Sequence, residues 1–74
     1  MEVEEIENMI KQAIPDAVVT AETNDGRHYS AIVISKTFEG MAKVRQHQMV
    51  YAALGDKLGS EDLHAFALTT KTPE

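Results

Sequence analysis

The run Asn24-Asp25-Gly26-Arg27 stands between two β-prone stretches, residues 17–23 (Ala-Val-Val-Thr-Ala-Glu-Thr) and residues 29–35 (Tyr-Ser-Ala-Ile-Val-Ile-Ser). Asp-Gly tolerates the positive φ of a tight reversal, so the two stretches read as an antiparallel hairpin. The rest of the chain has to cover it. In 74 residues there is room for one modest core, and with no cysteine there is no disulfide to supplement it. The chain therefore reads as a single domain over residues 1–74.

Residues 2–14 read as an amphipathic helix, with Val3, Ile6, Ile10, Ala13 and Ile14 recurring at three- and four-residue spacing. Glu2, Glu4 and Glu5 fall in its first turn, where carboxylates favour the positive end of the helix dipole. Pro15 stops it, because proline has no N–H for the next helical bond and disfavours helix at Ile14. After a break at Phe38-Glu39-Gly40, Val44, His47, Tyr51, Leu54 and Leu58 share a face, with Val50 alongside. This predicts a long helix over residues 44–58, preceded by a short helical turn at residues 41–43. Gly55 falls inside that helix at a cost of up to about 1 kcal/mol against alanine, and Gly59 is a natural C-cap. Residues 63–70 (Leu-His-Ala-Phe-Ala-Leu-Thr-Thr) read as a third strand. The order is α-β-β-α-α-β. A helical crossover from the second strand to the third makes those two parallel if adjacent. The expected architecture is an α+β fold, a three-stranded mixed sheet with helices on one face.

Composition removes several function classes. Without cysteine there is no CxxC redox centre, cysteine-based zinc site or self-contained iron–sulfur site. No apolar run approaches the ~18 residues of a membrane span, and Met-Glu-Val-Glu-Glu is unlike a basic signal-peptide start, so the expected location is cytoplasmic. Net charge is −5 and uneven. Residues 1–26 carry seven acids against Lys11 alone, whereas residues 27–57 are net positive. The whole molecule repels polyanions, and only the middle third attracts them. Ser30, Ser35 and Ser60 have no triad context, there is no Gly-rich phosphate loop, and Glu4/Glu5 and Glu61/Asp62 are neighbours that do not face one another. The chain reads as a non-enzyme.

The stretch Phe38-Glu39-Gly40-Met41-Ala42-Lys43-Val44-Arg45-Gln46-His47-Gln48-Met49-Val50-Tyr51, then Leu54, Leu58 and His64-Ala65-Phe66-Ala67-Leu68, resembles the BolA family. The hairpin Asp-Gly-x-His-Tyr is similar to its short-looped IbaG branch, and Gln-His-Gln-Met-Val to its mitochondrial branch. The resemblance implies a class II KH-like α-β-β-α-α-β fold. It implies partnership with monothiol glutaredoxins of the Cys-Gly-Phe-Ser type, as apo complexes or around a shared [2Fe-2S] cluster. In such complexes glutaredoxin and glutathione supply the thiolates. The roles implied are iron–sulfur cluster trafficking and iron or redox regulation. The alternative is a KH-like nucleic-acid-binding transcriptional regulator.

The resemblance makes His64, opening the third strand, the first metal-ligand candidate, since a neutral imidazole can replace thiolate on one iron of a [2Fe-2S] cluster. Taken by spacing alone, a single strand-end histidine reads as a packing or solvent-facing residue. Longer-looped relatives carry a second His or Cys in the hairpin, at a place that falls here near Asp25, a hard oxygen donor poorly suited to a sulfide-bound iron. His28, three residues on, is the second candidate. His47 reads as a half-buried core histidine. Lys36, Lys43 and Arg45 form a basic patch, and with Gly40 they are the candidate partner or nucleic-acid contacts. Gly40-Met41-Ala42-Lys43 lacks the second glycine of a KH Gly-x-x-Gly loop. A homodimer pairing through a sheet edge or open face is the third partner expectation.

Overall fold

The computed structural model describes residues 2–55 and 66–74. Helix α1 (Val3–Ala13) leads into strands β1 (Val18–Thr23) and β2 (Tyr29–Ile34), a 3-10 turn at Lys36–Phe38, helix α2 (Lys43–Leu54) and strand β3 (Phe66–Lys71). The start of α1 is closed by the Glu2 amide, which donates to Glu5 Oε1 at 3.3 Å. Its end falls at Ile14, as Pro15 requires. Ile6, Ile10 and Ile14 are wholly buried, whereas Ala13, expected on the same stripe, is exposed.

The sheet order is β1-β2-β3, with β1 antiparallel and β3 parallel to the central β2. This is the expected α+β arrangement of a mixed three-stranded sheet. Alternation along each strand separates two faces. Val19, Ala31, Val33, Phe66 and Thr70 are buried beneath the helices, and α1 packs on β1 while α2 packs on β3. The opposite face is open. Its register forms three rows: Val18, Ile34 and Lys71; Thr20, Ile32 and Thr69; Glu22, Ser30 and Ala67.

The crossover corrects the sequence reading in three places. The short helical turn precedes the predicted residues 41–43 and lies at Lys36–Phe38, where Phe38 enters the core with no exposure. Helix α2 ends at Leu54, because Gly55 takes φ +54° and ψ −138°, a conformation open only to glycine, and so terminates the helix. Leu58 and the Gly59 cap lie outside the described residues, as do residues 63–65 of the predicted third strand, which among the described residues runs to Lys71. The inward face of α2 is also rotated. Val44 is 67% exposed, His47 and Tyr51 are half-buried, and Gln46, Val50 and Leu54 are buried.

Gln46 is inward because its amide is fully used. Nε2 donates to the carbonyls of Met41 (2.8 Å) and Phe38 (3.4 Å), and Oε1 accepts from the buried Thr70 hydroxyl at 2.7 Å. One side chain thus ties the loop before α2 to β3. A second tie sits at the end of β2. Asp16 accepts from Ser35 Oγ (2.6 Å), from Thr37 Oγ1 (3.2 Å) and from the Lys36 amide (2.8 Å). The Ser35 hydroxyl, and after it the Lys36 amide, hold the Asp16 carboxyl below its ordinary value.

Candidate functional site

The hairpin loop is organised around Asp25. Its Oδ1 accepts from the amides of Arg27 (2.9 Å) and His28 (2.8 Å), and its Oδ2 lies 2.8 Å from His28 Nδ1. Thr23 Oγ1 accepts from the Gly26 amide at 2.9 Å and donates to the His28 carbonyl at 2.8 Å, while the Tyr29 hydroxyl donates to the Gly26 carbonyl. Gly26 supplies the positive φ, +74°, that the reversal needs. The His28 amide above all, then its ring and the Arg27 amide, hold the Asp25 carboxyl far below the usual carboxylate range.

Two chemical consequences follow. An ionised carboxylate can only accept, so His28 Nδ1 is the donor in this contact, and Nε2 on the far side of the ring takes no part in it. The His28 side chain is 74% exposed, so that nitrogen is on a reachable ring held by a carboxylate, the arrangement that orients imidazole ligands in metal sites. Asp25 itself already receives three donors and is poorly placed to bind anything else.

A shallow groove of about 270 Å³ opens beside this loop, lined by Glu22, Thr23, Asn24, His28, Tyr29, Ser30 and Ala67. Its floor is the Glu22, Ser30 and Ala67 row of the open sheet face. The parallel register sets Phe66 opposite Tyr29, so β3 begins at the same end of the sheet as the base of the hairpin. His64 is two positions before Phe66 in sequence and lies outside the described residues. Among the described residues no three His, Asp or Glu side chains are grouped to hold a metal ion.

The basic candidates sit at the other end of the sheet. Lys36 is exposed in the 3-10 turn that follows β2, and Gly40 is exposed with φ +77°. The Lys43 ammonium donates to the Thr70 carbonyl, so its charge is spent on joining α2 to β3. Arg45 is exposed on α2. His47 is half-buried with its ring edge-to-face against Tyr51 at 6.4 Å, and Tyr51 meets Phe66 in the same way at 6.2 Å.

Over residues 2–74 the chain matches the family described as BolA-like protein. The chain belongs to the BolA-like family. It is 37% identical over 68 residues to the chloroplastic protein BOLA1 of Arabidopsis thaliana, across 92% of this chain and 42% of that one. It is 30% identical over 73 residues to the acid stress protein IbaG of Escherichia coli, across 99% of this chain and 86% of IbaG. A solved bolA homologue from Coxiella burnetii superposes with a TM-score of 0.80 at 38% identity, covering 99% of this chain and 92% of that one.

In this BolA-like chain the structure brings His28 and the start of β3 to one end of the sheet, and sets Lys36, Gly40, Lys43 and Arg45 apart from them. Sequence reasoning missed Glu22, Ser30 and Ala67 as groove residues, because only the pairing of three strands makes them neighbours. It also missed the Asp25–His28 contact, although an Asp three residues before a His across Asp-Gly is the local signal for it. Among the described residues no helix is long and apolar enough to cross a membrane.

Proposed function

We propose that this BolA-like chain is a non-catalytic adaptor that docks on a monothiol glutaredoxin of the Cys-Gly-Phe-Ser type. Its place is in iron–sulfur cluster trafficking or iron and redox regulation, with a bridging [2Fe-2S] cluster shared with glutaredoxin and glutathione. The observation that carries this reading is the convergence of an exposed, carboxylate-held imidazole, a groove and the start of β3 at one end of the sheet.

The donor set fits a shared group and not a resident one. The chain has imidazole nitrogen and carboxylate oxygen but no thiolate, so sulfur has to come from the partner. His64 is the proposed ligand to one iron, and His28 Nε2 the second donor at the same end. When bound, the cluster supplies one-electron redox chemistry and a transferable iron–sulfur unit. Asp25 holds the His28 ring in one orientation through Nδ1, and the groove floor of Ser30 and Ala67 leaves room for a partner's chain.

Titrating the isotopically labelled chain with apo glutaredoxin tests the docking half by amide chemical shifts. Shifts concentrated at residues 23–30 and at Phe66 and Ala67 support the proposal. No shifts at millimolar partner, or shifts confined to the Lys36 and Arg45 end, contradict it. The nucleic-acid alternative has less support. With Lys43 bonded to the Thr70 carbonyl it draws on Lys36 and Arg45, in a molecule of net charge −5. A gel shift at low salt that Lys36→Glu and Arg45→Glu abolish would favour it instead.

A further inference from the structure

The open sheet face, one row of which floors the groove of the adaptor reading, carries a further pattern across its whole width. Its three rows of three form a grid whose two diagonals differ in chemistry. One runs Val18–Ile32–Ala67 and is apolar, with Val18 61% and Ile32 41% exposed. The other ends in Glu22 at one corner and Lys71 at the opposite corner, the two charged residues of the grid. Among the described residues neither side chain has a hydrogen bond or ion pair. The face is therefore neutral in a molecule whose net charge of −5 lies elsewhere.

We infer that this face is self-complementary and receives a second copy of the chain about a two-fold axis along the Val18–Ile32–Ala67 diagonal. Rotation about that line sets each of the three apolar residues against itself in the partner copy. It also exchanges the two remaining corners, so that Glu22 of each copy comes over Lys71 of the other, twice in the dimer. This is the isologous arrangement that closed two-fold dimers require. With strands ~4.8 Å apart and ~3.3 Å per residue along them, the strands of the two sheets cross at roughly 70°, in the steeply crossed class of sheet packing. The same spacings give about 300 Å² of face per copy, well short of the roughly 800 Å² of a standard interface, so the dimer is weak and concentration-dependent. Opposite charges at the corners fix its register, and like charges there prevent it.

Sedimentation equilibrium from micromolar to millimolar concentration tests the inference by charge exchange. The weight-average mass of the chain is expected to rise toward twice the monomer mass, and the rise to shrink with salt. Glu22→Lys alone and Lys71→Glu alone are each expected to stay monomeric, since every corner contact is then like against like. An equimolar mixture of the two variants is expected to associate, and so is the double variant carrying both changes. Both positions exchanged are exposed, and amide spectra check that each variant is folded. A chain that stays monomeric at millimolar concentration, a Glu22→Lys variant that associates as the parent does, or a mixture that fails to associate overturns the inference.

Discussion

Replacing Gln46 with leucine keeps the volume of a buried side chain and removes every hydrogen bond it makes. The Thr70 hydroxyl, with no exposure, loses its acceptor at 2.7 Å, and the Met41 carbonyl loses its donor at 2.8 Å. An unpaired buried hydroxyl costs about 1–3 kcal/mol and a lost backbone partner about 1 kcal/mol, partly offset by the better transfer of leucine. The net expectation is a loss of about 1–3 kcal/mol. At ~0.05–0.15 kcal/mol per residue, the domain holds about 4–11 kcal/mol in all, so this one change consumes a large share. Thr70→Val should cost less by itself, and adding it to Gln46→Leu should restore about 1–2 kcal/mol, because no buried hydroxyl is then left unpaired. Urea unfolding followed by circular dichroism measures all four corners of the cycle. A Gln46→Leu variant within about 0.5 kcal/mol of the parent, the usual size of a surface effect, or strictly additive costs would show that this network does not hold the fold.

Three further outcomes follow from the same contacts. The folded pKa of Asp16 lies below its unfolded value of 3.8, so its contribution to stability is present above that pH and lost as the pH falls through the folded pKa. The stability gap between the parent and Asp16→Asn should therefore narrow on acidification in pH-dependent urea melts, and a gap independent of pH would contradict this. Gly55→Ala forces a side chain into φ +54°, ψ −138° and should cost about 1–3 kcal/mol, read as a lower thermal midpoint; an unchanged midpoint would refute the assigned helix end. Asp25→Ala removes the acceptor of the Arg27 and His28 amides, and hydrogen exchange at both should quicken while Val33 stays protected. Unaltered exchange at His28 would mean that Asp25 does not organise the loop.

What the sequence made legible is what local chemistry decides. The hairpin ends at Thr23 and Tyr29 because Asp25-Gly26 is a turn by its own conformational preference, and α1 stops where Pro15 requires it. The isoleucines of α1 repeat on one stripe without a competing polar residue, so their inward side is unambiguous. In α2 apolar and polar residues are mixed around the helix, and the inward side is chosen by partners far away in the chain. Gln46 is buried because the Thr70 hydroxyl, 24 positions on, donates to its Oε1 there, and Val44 lies on the exposed side. Gly55 could equally be a tolerated interior glycine or a stop, since nothing in the residue itself declares its φ. The groove is illegible for the same reason. Glu22, Ser30 and Ala67 become neighbours through the antiparallel and parallel registers together, and no window of sequence contains all three. His28 is legible as a candidate in the sequence, whereas the orientation of its ring comes only with the geometry of Asp25.

Visible circular dichroism of a [2Fe-2S]-loaded Cys-Gly-Phe-Ser glutaredoxin, recorded as the chain is added, reads the ligand environment of the iron itself. The account predicts a new spectrum at one equivalent, its loss with His64→Ala, and retention of the apo complex by that same variant. Identical spectra for the parent and His64→Ala would contradict it.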